Sequence, residues 1–309
     1  MANPLAAGEN DPPGGGGGGR ENDGPGGRFA GSDGVMPFNL GPLPGWDDIF
    51  DPPKQATAFN PPAQHIIFGA KFPDTGWDPI ARVEMIVREF TMLNCWRALT
   101  TMEPPPDHLE AGADQQAIDN AKAALRADVV GLLHLRKDLG VLKPTFTDEI
   151  NAQNADFTPY FQKLLSCSAQ VRPATYYLVI TCILAGAVVA RFYKEKYKRA
   201  RPAQVLPSFE TLIATPRHPS YPSGHALQSF LIAEAVADVA NAMAPRAKQV
   251  ATRIAVNREQ AGGHFPSDTA ASQKIAKEVW DCLKTTPGIK DFIDGAKNDF
   301  DKIQSIPLV

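Results

Sequence analysis

The sequence predicts an all-α protein, a bundle of helices behind an extended Pro/Gly-rich N-terminal arm. Two observations carry that expectation. From Trp77 onward the apolar residues recur at helical spacing, in segments opened by capping residues or prolines, with no convincing period-two run between them. Ahead of Trp77 the chain is dominated by Gly, Pro, Asn and Asp, and no internal repeat is visible.

Residues 1–35 hold almost nothing that burial would stabilise, so they are expected to be a disordered tail. Residues 36–74 stay Pro-rich but add Phe38, Leu40, Trp46, Ile49, Phe50, Ile66 and Phe68, the pattern of an extended arm lying on the domain. The helical domain is expected over 75–309. Asp78 caps a first helix, "PIARVEMIVREFTMLNCWRALT", with Pro79 at its first position. A second, "DQQAIDNAKAALRADVVGLLHLRKDLG", stops at Gly140, and Thr158 and Pro159 open a short third, "TPYFQKLLSC". "ATYYLVITCILAGAVVARFYKEKYKR" is apolar for 17 residues, Ala174 to Ala190, and then basic. That length sits at the bottom of the range for a membrane span, and no second run matches it. It is expected to be the central buried helix of a soluble bundle, with no integral span. Beyond a Pro-rich loop (Arg201 to Pro222) follow "SGHALQSFLIAEAVADVANAM", "PRAKQVATRIAVNREQA", a helix from near Phe265 to Lys284, and the amphipathic "GIKDFIDGAKNDFDKIQ".

A net charge of −3 argues against a dedicated nucleic-acid binder, so any anion site must be local. Cys95, Cys167, Cys182 and Cys282 form no CxxC pair and no cluster at metal spacing. They read as buried free thiols, which suits a reducing compartment, with pairing across the fold left open. "MANPLAAGENDPP" has neither a basic start nor an apolar core, so a cytoplasmic location is expected over secretion, a leader removed earlier being left open. Assembly into a homo-oligomer is also left open.

Three clusters carry chemistry. In "RFYKEKYKRARP", Lys194 and Arg201 are seven apart, two helical turns, and would share a face if the helix continued through both. An ammonium and a guanidinium together make an oxyanion clamp. In "HPSYPSGHAL", Pro222 disfavours helix before it and Ser223 is a good N-cap for the apolar helix that follows. Gly224 allows close approach to the free amides of that helix start, and His225 sits in its first turn. In "NREQAGGHFPSD", the pair Gly262–Gly263 breaks one helix and Pro266 opens the next. His264 and Asp268 are four apart, so the carboxylate can hold one imidazole nitrogen and free the other. Arg258 adds a third cation.

Lys194-x6-Arg201-Pro202, Pro222-Ser223-Gly224-His225 and Arg258-x5-His264-x3-Asp268 together resemble the signature of the superfamily of type 2 phosphatidic acid phosphatases, class A acid phosphatases and vanadium-dependent haloperoxidases. Order and internal spacings agree over Lys194 to Asp268. One departure is Asn257, where the family usually has Ser. The resemblance implies a helical bundle of the haloperoxidase/acid phosphatase type whose pocket holds an oxyanion. In the phosphatase form it implies that Lys194, Arg201 and Arg258 bind the phosphate oxygens, with Ser223 and the Gly224 amide. His264, oriented by Asp268, would attack phosphorus and form a phosphohistidine, and His225 would protonate the leaving oxygen, with no cofactor required. The expected partner is a small phosphate ester, and a lipid or prenyl phosphate or diphosphate is one candidate. In the haloperoxidase form the same pocket would hold vanadate with His264 as its axial ligand, and the partners would be halide and peroxide. The expected folded part, about 235 residues, resembles the compact phosphatases. An inert anion-binding scaffold is disfavoured, because every charged or nucleophilic position of the signature is filled.

Overall fold

The computed structural model describes residues 78–139 and 143–304, and the tail and arm expected over 1–35 and 36–74 lie outside the described residues. Among the described residues the regular structure is helical, so the fold class is all-α. Ten α-helices run in order: α1 Pro79–Met92, α2 Gln115–Leu139, α3 Lys143–Ala155, α4 Thr158–Leu165, α5 Pro173–Tyr197, the single turn α6 Pro202–Val205, α7 Gly224–Val239, α8 Ala244–Gln260, α9 Pro266–Leu283 and α10 Ile289–Gln304.

Local chemistry accounts for the helix starts. Asp78 Oδ1 accepts from the amides of Ile80 at 2.9 Å and Ala81 at 3.2 Å, and Asp114 Oδ1 accepts from Ala117 at 2.8 Å ahead of α2. Prolines occupy the first turns of α1, α4, α5, α6, α8 and α9, where a missing N–H costs nothing. In α1 the buried residues Val83, Ile86, Val87 and Phe90 form one stripe. The helix stops at Met92 rather than near Thr100 because the chain turns in there: Trp96 is buried and its Nε1 donates to the Phe90 carbonyl at 2.8 Å.

Helix α7 is buried around its whole circumference from Gly224 to Ala233, where it packs on α5, α8 and α9, and reaches the surface at Ala237 and Asp238. Each fully buried Leu, Ile or Phe of this core contributes roughly 1.5–3 kcal/mol. Helix α10 adds Ile289, Phe292, Ile293, Ala296 and Phe300 from one face. The expected single class of free thiols is corrected: Cys95 and Cys282 form a disulfide that ties the turn after α1 to the end of α9, while Cys167 and Cys182 are free and buried.

Two features set up the site. Helix α5 ends because Lys198 adopts a left-handed conformation (φ 49°), so the expected common helical face for Lys194 and Arg201 does not form. Arg201 instead caps α6, its backbone N–H donating to the Gln204 side chain at 2.8 Å. Gly262 (φ 79°) ends the turn after α8, and a Cβ there would meet Phe209 Cε1 at 2.7 Å, so a residue without a side chain is needed.

Candidate active site

The eight residues singled out in the three motifs, Lys194, Arg201, Ser223, Gly224, His225, Arg258, His264 and Asp268, come from four stretches of chain and are all buried. Lys194 lies in the last turn of α5, and its Nζ donates to the carbonyls of Pro219 at 2.8 Å and Ser220 at 2.9 Å. Those bonds tie the loop before α7 to α5. Arg201 donates through Nε to the His218 carbonyl at 2.8 Å and through Nη1 to the Gly263 carbonyl at 2.7 Å. Its Nη1 also lies 3.4 Å from His264 Nε2, and its Nη2 lies 3.0 Å from His218 Nδ1. Arg201 thus comes beside His264 through loop geometry rather than through a helical face shared with Lys194.

At the start of α7, Ser223 holds the N-cap position but makes no side-chain capping bond, and its buried Oγ has no hydrogen-bond partner. Its amide donates to the Asp268 carbonyl at 3.2 Å and its carbonyl accepts from Ser272 Oγ at 2.8 Å, fixing α7 against α9. His225 is buried one residue into the helix, with its ring 5.3 Å from that of Phe157 between centroids.

The third motif closes the site. His264 Nδ1 lies 3.2 Å from Asp268 Oδ2. The same oxygen accepts from the Phe265 amide at 3.0 Å and from Ser220 Oγ, while Oδ1 accepts from Arg199 Nη1 at 2.5 Å. Burial pushes the Asp268 carboxyl up, but the His264 bond, the charges of Arg199 and His264 and the Ser220 bond outweigh it and hold it below the usual carboxylate range. With the proton of a neutral His264 drawn to Nδ1, the lone pair sits on Nε2, the nitrogen facing Arg201.

Arg258 is steadied by a helix that sequence periodicity does not reveal. Its Nη1 donates to Asn154 Oδ1 at 2.9 Å and its Nη2 to the Ile150 carbonyl at 2.7 Å, both on α3. Next to it, Asn257 Nδ2 donates to Glu149 Oε1 at 3.0 Å and Gln153 Oε1 at 2.9 Å, contacts a serine is too short to duplicate. Glu259, buried between Arg258 and Gln260, has its carboxyl pushed up to about 7, chiefly by burial. The residues missed in the sequence are therefore Arg199, Ser220 and the α3 set; only Arg199 had a signal, its place in the basic run two residues before Arg201. Among the described residues no group of three or more His, Cys, Asp or Glu is placed to hold a metal ion.

The three cations, the two histidines and the histidine-bound carboxylate are thus carried by helices α5, α7, α8 and α9 and the turns beside them. The family model "PAP2 superfamily" matches residues 174–276, the stretch that carries all three motifs. That match agrees with the motif resemblance to the type 2 phosphatidic acid phosphatase superfamily. No curated protein matches the chain. Among solved structures, a transmembrane PAP2-type phosphatidylglycerolphosphate phosphatase from Bacillus subtilis is similar at 15% identity and a TM-score of 0.30, over 52% of this chain and 94% of that one.

The expectation of a soluble, cytoplasmic chain without a membrane span does not stand. The segment Pro173–Val205 is long and apolar enough, by length and composition, to cross a membrane, and 83% of its apolar window is buried inside the fold.

Proposed function

We propose that this chain is a phosphatase that hydrolyses phosphate monoesters, lipid phosphates foremost, through a phosphohistidine on His264. The observation that carries the proposal is the setting of His264: Nδ1 on Asp268 and Nε2 beside a guanidinium. An imidazole so held presents its lone pair to phosphorus with a cation ready for the phosphate oxygens. The PAP2 match to 174–276 and the long apolar helix support a lipid leaving group.

In the proposed cycle, Lys194, Arg201 and Arg258 exchange their carbonyl and amide partners for the oxygens of the substrate phosphate, joined by Ser223 Oγ and the Gly224 amide. His264 Nε2 attacks phosphorus, forming the N–P bond as the ester P–O bond breaks. His225 gives its proton to the departing oxygen, so an alcohol leaves. His225 then takes a proton from water as that water attacks the phosphohistidine. Cleavage of the N–P bond frees inorganic phosphate and returns His264 with its proton still on Nδ1. Asp268 stays ionised throughout and stabilises the positive charge that grows on the ring.

The haloperoxidase alternative has no observation of its own in its favour, and vanadate enters only as a tetrahedral-oxyanion inhibitor. The test uses the full chain in detergent with p-nitrophenyl phosphate and with phosphatidic acid micelles, with and without orthovanadate. Hydrolysis, inhibition by vanadate, and loss of about 10⁴-fold or more in kcat in His264→Ala are expected. Near-normal turnover in that variant, or vanadate-dependent bromination by peroxide in place of hydrolysis, would overturn the proposal.

A further inference from the structure

Arg199 occupies none of the signature positions, yet it is buried among three carboxylates. The left-handed Lys198 turns the chain at the end of α5 and sends Arg199 inward, where its side chain is 2% exposed. Its Nη1 donates to Asp268 Oδ1 at 2.5 Å and to Ser267 Oγ at 2.7 Å. Its Nη2 donates to Asp128 Oδ2 at 2.7 Å, and its Nε lies 2.8 Å from Asp107 Oδ1. The guanidinium also stacks over the Phe265 ring at 4.4 Å.

Three carboxylates around one guanidinium exceed what neutralising it requires. Asp107, in the loop before α2, and Asp128, on α2, hold the cation from behind. Asp128 is itself fixed, accepting from the Ser267 amide at 3.2 Å and from Ser267 Oγ at 2.5 Å. The remaining carboxylate, Asp268, is the one that holds His264. A carboxylate turns easily about its Cβ–Cγ bond, and only a fixed donor on Oδ1 keeps Oδ2 pointed at Nδ1. Ser220 Oγ and the Phe265 amide bind Oδ2 alone, so neither replaces that anchor.

We propose that Arg199 is a positioning residue for the His264–Asp268 pair: anchored by Asp107 and Asp128, it fixes the carboxylate orientation that keeps the imidazole proton on Nδ1 and the lone pair on Nε2. This rests on the phosphohistidine mechanism above. Arg199 touches no substrate in it; its effect passes through Asp268. The titratable groups facing Asp268 are Arg199 and His264 at bonding distance, with Asp128, Glu259 and Tyr221 farther off. Of these, the His264 bond and the charge of Arg199 hold its carboxyl down. Removing Arg199 lets the Asp268 carboxyl take up a proton more readily. Activity that needs an ionised Asp268 then fails at a higher pH.

The experiment compares full-length Arg199→Gln, Arg199→Lys and Asp128→Asn with wild type. Arg199→Gln is expected to lower kcat by about 10- to 100-fold, the loss typical of groups that orient a working histidine, with KM little changed. The acid limb of its pH profile moves to higher pH. Arg199→Lys, which keeps the charge but not the fork, falls between, and Asp128→Asn shows a smaller loss in the same direction. A merely structural tie would lower the melting temperature and leave kcat and the acid limb unchanged, and that result overturns the proposal. Should Arg199→Gln not fold, unchanged kcat and acid limb in both other variants do the same.

Nitrogen-15 NMR of histidine-labelled protein, with His264 assigned by its Ala variant, reads the pair without any substrate. Wild type is expected to show the Nδ1–H tautomer, and Arg199→Gln a mixture of tautomers at the same pH. If wild type hydrolyses no phosphate ester but the ring responds this way, the proposed function fails and the positioning role stands. A ring unchanged by the substitution overturns the positioning role.

Discussion

Replacing Asp268 by asparagine keeps the shape of the side chain and removes its charge, and the site offers no orientation in which an amide succeeds. Oδ2 meets three donors, His264 Nδ1 at 3.2 Å, the Phe265 amide at 3.0 Å and Ser220 Oγ, while Oδ1 meets Arg199 Nη1 at 2.5 Å. An NH₂ group placed on either side therefore faces donors, and Arg199 loses one of its counter-charges in a buried setting. Removing one partner of a buried ion pair costs about 3–5 kcal/mol. At about 2–4 °C per kcal/mol for a domain of this size, the variant should melt about 6–20 °C below wild type. The tautomer of His264 is no longer fixed, so kcat on p-nitrophenyl phosphate should fall by about 10²–10⁴-fold. The sign of the pH effect follows from the depressed carboxyl. Its stabilisation is fully present above the unfolded value of about 3.9 and is lost as pH falls from there toward the lower folded value. Wild type should thus lose stability below about pH 4 on a slope that Asp268→Asn lacks. Thermal melts across pH and initial rates at saturating substrate are sufficient. A variant that melts with wild type and turns over at its rate refutes the reasoning.

Glu259 gives the opposite sign: its carboxyl is raised from 4.5 to about 7, so its destabilising effect is absent below the lower value and complete above the higher. Glu259→Gln should therefore gain about 3 kcal/mol relative to wild type at pH 8 and nothing at pH 4, read as melting temperatures; equal differences at both pH values would contradict it. The Cys95–Cys282 disulfide closes 187 residues of chain, a loop entropy worth up to about 5 kcal/mol. The double serine variant should melt up to about 10–20 °C lower, and a melting point equal to wild type would show that the crosslink stabilises nothing. Asn257→Ser introduces the residue usual in the family but removes the donor to the buried Gln153 Oε1, while Glu149 keeps Arg253; a loss of about 1–3 kcal/mol is expected in urea unfolding, and no loss would remove the role given to that amide.

The parts legible in the sequence are those written in local code. Asp78, Pro79, Thr158, Pro159 and Pro266 mark helix starts because capping and proline chemistry act within a few residues. The motif residues could be named for the same reason, since His264 and Asp268 meet across one turn. What the sequence hides is long-range. Helix α3, "KPTFTDEINAQNA", has no apolar stripe, because Glu149, Gln153 and Asn154 face polar partners on α8 instead of a greasy core. Lys194 and Arg201 are near each other for a reason other than their spacing, a left-handed residue ending α5. Arg199 is indistinguishable in the basic run from the exposed Lys198 beside it, and only the distant carboxylates Asp107 and Asp128 set it apart. Length and apolarity alone led to a core helix with no span for α5, because a core helix and a span demand the same residues.

The central claim, that His264 is the nucleophile, is tested most directly by trapping the intermediate. The full chain is mixed with ³²P-labelled phosphate ester, quenched in alkali within the first turnover, digested and mapped by mass spectrometry. Label on the peptide carrying His264, stable to base and lost in acid as a phosphoramidate must be, is the predicted result, and it should vanish in His264→Ala. Turnover without labelled His264, or label on another residue that persists in that variant, would contradict it.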